Sequence, residues 1–136
     1  MHVYSKLSLI VLVGLLVFGV SCSNSGTTGL TTTMSVEDCT VGDECSLGGV
    51  LSIYRGASGS AGILEMKNQG CVALALPEKI YKTKNQWQNK KVVVRGVAFV
   101  YSTEIDIISF EIKDRWVATG ACERNLVLYV NEIFRM

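Results

Sequence analysis

Lys90-Lys91-Val92-Val93-Val94-Arg95-Gly96-Val97-Ala98-Phe99-Val100-Tyr101 is the stretch on which the reading of the fold turns. It is rich in β-branched and aromatic residues, which fit a pleated, half-buried surface. Val92, Val94, Ala98 and Val100 share one parity, and Lys91, Arg95 and Tyr101 share the other. That alternation predicts a strand with Val92, Val94, Ala98 and Val100 facing inward. Gly96 interrupts the run. A glycine inside a strand marks a bulge or a sharp bend, which a small closed barrel needs. The expectation is a long, bent strand against which the others close.

Working outward, residues 104–112 alternate in part, with Ile108, Phe110 and Ile112 on one side, as an extra strand or an ordered arm of a long loop. Residues 113–125 read as irregular, and residues 126–134 as the last strand. On the amino-terminal side, residues 78–89 have helical leanings, with Ile80, Tyr81, Lys84 and Trp87 on a loose face. Residues 71–76 alternate small and large as a third strand, which Pro77 ends. Asn68-Gln69-Gly70 reads as a tight hairpin turn, and residues 63–67 as a second strand. Leu47, Gly49, Leu51 and Ile53 define the inner face of a first strand. Between those two, Gly56-Ala57-Ser58-Gly59-Ser60-Ala61-Gly62 reads as a flexible loop. Its glycine spacing is not a phosphate loop, because neither the lysine nor the following helix is present. With 49% hydrophobic residues in a chain of 136, there is material for one core and not two.

Three strands, a short helical connection, a long strand and a final strand resemble the OB-fold. The resemblance rests on the glycine-bearing first strand, on the Gln88-Asn89-Lys90-Lys91 entry into the fourth, and on Leu128-Tyr129-Val130-Asn131-Glu132-Ile133 in the last. It implies an all-β fold, a small five-stranded barrel with a helical connection at residues 78–89 and an extra strand or arm between strands four and five. The alternative is a β-sandwich, which needs about seven strands.

Residues 1–21 read as a signal peptide. Lys6 supplies the positive start, and residues 7–20 are almost wholly apolar yet too few for a span of about 20 residues. Gly19-Val20-Ser21-Cys22 resembles the lipobox of bacterial lipoproteins, with Gly19 where leucine is usual. The resemblance implies a small envelope lipoprotein, lipidated on Cys22 and facing the periplasm or the exterior. Ordinary cleavage near Ser21 or Ser23, releasing a soluble secreted protein, is the alternative. Residues 22–38, dominated by Ser, Thr, Gly and Asn, form a flexible tether, and residues 39–136 the barrel domain. Loss of the leader removes Lys6 and leaves twelve basic and twelve acidic side chains. A neutral domain exerts no global pull on nucleic acid, and none is expected as a partner. The expected partners are the membrane, through the lipid, and an envelope protein.

Five cysteines are an odd number for an exported chain. With Cys22 assigned to lipid, Cys39, Cys45, Cys71 and Cys122 remain, and an oxidising compartment reads these as two disulfides. The count alone allows three pairings. The OB resemblance selects one, because its third and fifth strands lie side by side and parallel. That arrangement implies Cys71–Cys122 and leaves Cys39–Cys45. No C-x2-C pair occurs and the sole histidine is His2, so no zinc site or other metal or cofactor site is expected.

Without a histidine beyond the leader, the commonest general base is missing, and no enzymatic constellation is found. Glu104 and Asp106 share a strand face and could do acid–base work or bind a cation, but a solvated face explains them better. Lys79, Lys82, Lys84, Lys90, Lys91 and Arg95, interleaved with Tyr81 and Trp87, have the composition of a stacking surface for single-stranded nucleic acid. The OB resemblance instead makes Tyr81 and Trp87 a plug for one barrel end, with the lysines in solvent. The arm between strands four and five offers Trp116 as an aromatic anchor, with Phe110, Arg115 and Arg124 nearby in sequence. A core tryptophan is the competing reading. Two function classes follow: a non-enzymatic envelope binding or assembly module, or an inhibitor that blocks a secreted enzyme.

Overall fold

A computed structural model describes residues 32–56, 59–102, 109–118 and 120–136. Cys22, Glu104, Asp106 and Ile108 lie outside the described residues, as do the leader and most of the tether. After a short 3-10 turn at Val36–Asp38, the strands are β1 (Glu44–Gly56), β2 (Gly59–Met66), β3 (Gly70–Ala75), β4 (Lys91–Val100), β5 (Ser109–Ile112), β6 (Arg115–Ala118) and β7 (Leu126–Arg135). Two short helices, α1 (Glu78–Lys82) and α2 (Lys84–Trp87), lie between β3 and β4.

Five strands close into a barrel in the order β1-β2-β3-β7-β4, and β5 and β6 form a separate two-stranded ribbon. Every barrel pairing is antiparallel except β3 with β7, which run parallel. The all-β, OB-like barrel expected from the order of elements is therefore the fold. Its interior is aliphatic: Leu47, Leu51 and Ile53 from β1 meet Leu64, Val72, Leu74, Val92, Val94 and Leu128, all buried. Ile80 and Tyr81 of α1 join this core, and Trp87 packs against it. Lys79, Lys82, Lys90 and Lys91 are exposed. The aromatic packing stands as the OB resemblance implied, and so do the solvated lysines except Lys84, which is half-buried.

Gly96 sits where the β4–β7 ladder changes register. Arg95 faces Glu132 but Gly96 faces Val130, so Asn131 is an extra residue on β7. A Cβ on Gly96 would lie 1.9 Å from the Tyr129 carbonyl oxygen. The bulge is on the partner strand, and glycine is required because that strand's backbone closes onto β4. The entry into β4 is tied to β1: the Ile53 N–H donates to Gln88 Oε1 (2.8 Å), and the Asn89 N–H donates to the Leu51 carbonyl (2.8 Å).

The structure corrects three expectations. The glycine-rich run 56–62 is mostly strand, since Tyr54 pairs with Ala61, Arg55 with Ser60 and Gly56 with Gly59. Small side chains do not prevent a ladder made by backbone groups. Val100 is 50% exposed; it has the inward parity, but faces Leu126 at the end of the ladder, where the barrel interior has run out. Residues 113–125 are not wholly irregular, because β6 pairs with β5. The expected helical connection is present, as two short turns broken at Thr83 (φ −108°, ψ 30°).

Both disulfides have the pairing implied by the parallel third and last strands. Cys71 and Cys122 have Cα atoms 5.4 Å apart, and Cys39 and Cys45 5.5 Å. The segment before β1 is stitched on as well. Val36 is buried, and the Val36 N–H and Ser35 hydroxyl both donate to Gln69 Oε1 in the β2–β3 turn. Among the described residues no helix is long and apolar enough to cross a membrane.

Candidate functional site

The β5–β6 ribbon lies against the outside of the barrel. Ile112 and Val117 bury themselves on Ala73 and Ala75 of β3 and Val127 of β7, flanked by Phe99, Tyr101, Phe110 and Tyr129. The small-large alternation of β3 has its reason here: Val72 and Leu74 fill the barrel, while alanines on the other face let the ribbon approach.

Arg115 fastens the ribbon. The β3–β7 ladder ends at Ala75 opposite Tyr129. Beyond that point Arg115 Nη1 donates to the carbonyls of Ala75 (2.8 Å) and Val130 (2.5 Å). Its guanidinium carbon lies 3.9 Å from the centre of the Tyr129 ring. A planar cation supplies both the donors and the stacking face that this junction needs. The Tyr129 hydroxyl donates to Asp114 Oδ1 (2.5 Å), and Lys113 Nζ stands 4.7 Å from the same ring. The tyrosine hydrogen bond holds the Asp114 carboxyl below its ordinary range and pushes the Tyr129 phenol above its own.

On β6 the side chains alternate, so Val117 turns into the barrel wall and Trp116 turns out. Trp116 is 60% exposed, which removes the core-tryptophan reading. It stands beside a cleft of about 570 Å³ at the barrel end that carries the β1–β2 turn. Ser60 comes from β2, Leu76, Glu78 and Tyr81 from the end of β3 and α1, and Arg115 and Val117 from the ribbon. The Tyr81 side chain is buried, and desolvation, reinforced by Glu78 and opposed by Arg115, pushes its phenol up to about 12.

Of the four residues singled out in the sequence, two meet at this cleft. Phe110 packs on Tyr101, ring centres 5.2 Å apart, in the outer cluster. Arg124 is held elsewhere, by the Gln69 carbonyl (2.8 Å) and Glu37 (3.3 Å). Sequence reasoning missed Ser60, Leu76 and Glu78, and favoured a packing role for Tyr81 over a stacking one. Strand order alone does not supply the signal: β4 ends and β7 begins level with the start of β3, and only the reach of the ribbon across the barrel wall brings Arg115 to the end of β3. Among the described residues no three His, Cys, Asp or Glu side chains gather as metal ligands. Comparison with known proteins found no family model and no curated relative that matches the chain.

Proposed function

We propose that this chain is a non-enzymatic binding or assembly module of the bacterial envelope, carried on a lipid at Cys22 and engaging its partner at the cleft beside Trp116. The observation that carries the reading is Trp116 itself. A large aromatic side chain held out into solvent by a buried neighbour, Val117, beside a formed cleft, has the character of a binding anchor. The leader, the serine- and threonine-rich tether and the odd cysteine support the anchored location. The absence of histidine beyond residue 2 supports binding over catalysis.

Two measurements test this reading. Intact mass spectrometry of the mature protein should show a chain beginning at lipidated Cys22 with two disulfides. A soluble product beginning at Ser23 or Asn24 would refute the anchor. A photo-crosslinking residue in place of Trp116 should trap an envelope component that the same residue at Tyr54, also exposed, does not. Equal trapping at both positions would refute the cleft. Trapping of a secreted enzyme whose activity is thereby lost would make the chain an inhibitor instead.

A further inference from the structure

On one side β7 outlasts its neighbour. β3 pairs with it only as far as Ala75 opposite Tyr129, and Pro77 then leads the chain away into α1. On the other side β4 follows β7 to Arg135. The Met136 N–H donates to the Lys91 carbonyl (3.0 Å). Backbone groups alternate between the two sides of a strand in an antiparallel ladder. Those of Met136 and Phe134 therefore face β4, and those of Ile133 and Arg135 face away. Among the described residues no strand and no hydrogen bond engages Ile133 or Arg135 on that side.

A bare edge is a template for a further strand. This one opens onto a groove of about 480 Å³, whose far wall is α1 and α2 with Ile80 and Trp87. Toward β3 the groove meets Val130, whose carbonyl Arg115 already holds. Toward α2 it meets Trp87, whose ring Arg135 covers. The charge around it is one-sided. Lys79 lines the groove, and Lys82, Lys84, Lys90 and Lys91 follow along the helices and the entry to β4. None of these five forms an ion pair among the described residues. The acids of α1, α2, β4 and β7 are Glu78 and Glu132, and Glu132 is held by Arg95 (3.1 Å).

We propose that this groove is a second binding site, apart from the cleft beside Trp116, and that it takes an extended acidic peptide segment of a partner protein as an added strand on β7. The peptide backbone bonds to Ile133 and Arg135, every other side chain enters the groove against Ile80 and Trp87, and its carboxylates face the lysines. An anionic membrane surface would use the lysines and leave the backbone edge bare, so the edge selects a peptide.

The test is amide exchange followed by NMR on the full chain in detergent. The probes are a blocked octapeptide alternating valine and glutamate, its valine–lysine counterpart, and vesicles of phosphatidylglycerol. In the free chain the Ile133 and Arg135 amides should exchange fast and the Phe134 amide slowly. The acidic peptide should slow the first two, and the basic one should not. Lys79→Glu should weaken binding of the acidic peptide about fivefold, the scale of an exposed ion pair. Ile133→Pro removes an outward donor and spares the bonds to β4, so it should abolish the protection at Arg135; if this variant does not fold, exchange in the wild-type chain decides. Slow exchange at Ile133 and Arg135 in the free chain means that the edge is already covered, and overturns the site. Binding of both peptides equally, or of neither, overturns the acidic-peptide assignment. Protection that grows with protein concentration alone makes the edge an interface between copies, and binding of the vesicles without the peptide makes the lysines a membrane contact; either overturns the proposal. The cleft beside Trp116 is untouched by all of these results.

Discussion

Inside the barrel, contact between strands is aliphatic and nearly continuous; outside it, the β5–β6 ribbon is held by one guanidinium, one tyrosine and a small apolar patch. Leu47, Leu51, Leu64, Leu74, Val94 and Leu128 are sealed from solvent and need only shape and alternation to find one another. The ribbon buries Ile112 and Val117, and depends for the rest on Arg115 reaching the Ala75 and Val130 carbonyls and covering Tyr129. The difference separates a core that fails as a unit from an appendage that can come loose alone.

The largest expected effect breaks the comparison at its strongest point. Val94→Asp buries an unpaired charge in the interior and should abolish folding. Val100→Asp and Lys91→Asp should shift stability by no more than about 0.5 kcal/mol. Thermal melts followed by circular dichroism decide it. If Val100→Asp also unfolds the chain, the division between inside and outside is misdrawn.

Next come the disulfides. Cys71–Cys122 spans 51 positions and Cys39–Cys45 spans 6. In the chain-entropy model the first contributes about 4 kcal/mol and the second about 2. Denaturant titration should therefore find Cys71→Ser more damaging than Cys39→Ser. The reverse order would show that the link into β7 matters less than the link into β1.

Arg115→Met keeps much of the stem and removes the donors. It should cost about 2 kcal/mol, the scale of a charged hydrogen-bond donor lost from buried carbonyls. The loss should be local. Amides of β5 and β6 should exchange with solvent faster while those of β1 and β4 keep their protection. Uniform loss of protection would make the ribbon part of the core.

The smallest effect is pH-dependent. The Asp114 carboxyl is held below its ordinary 3.8 by the Tyr129 hydroxyl. Its contribution is present above 3.8 and is lost as pH falls through the lower, folded value. The Tyr129 phenol is held above its ordinary 10.0, so its contribution is present below 10.0 and is lost as pH rises through the folded value. Amide shifts in the ribbon should follow both limbs, and Asp114→Asn should flatten the acid limb. A ribbon whose shifts ignore acid in the wild-type chain would remove Asp114 from the set of contacts that hold it.

The same contrast accounts for what could be read from the chain in advance. The barrel strands were legible because a period of two writes burial directly into residue order, as at Leu47, Leu51 and Ile53. The bulge was legible because Gly96 stands alone in a valine run. The run 56–62 was misread because a ladder of backbone bonds between Tyr54, Arg55 and Ala61, Ser60 leaves little trace in side-chain type. Arg115 was picked out as a binding residue, yet three of its contacts lie on β3 and β7, and nothing within four residues of it announces them. Trp116 could be named but not placed, since exposure depends on Val117 finding the barrel first. Arg124, eight positions on, joins Glu37 instead, 87 residues away in the chain.

The stitching of Ser35 and Val36 onto Gln69 gives the domain a direction. Gln69 belongs to the β2–β3 turn, and the cleft lies at the far end of β2, where Ser60 begins its line. Eight residues of strand separate the two ends, about 26 Å at strand rise. The described chain therefore begins at the foot of the barrel, with Trp116 at the crown. If the chain is anchored at Cys22 as proposed, the barrel wall adds its own span to the distance at which Trp116 is carried.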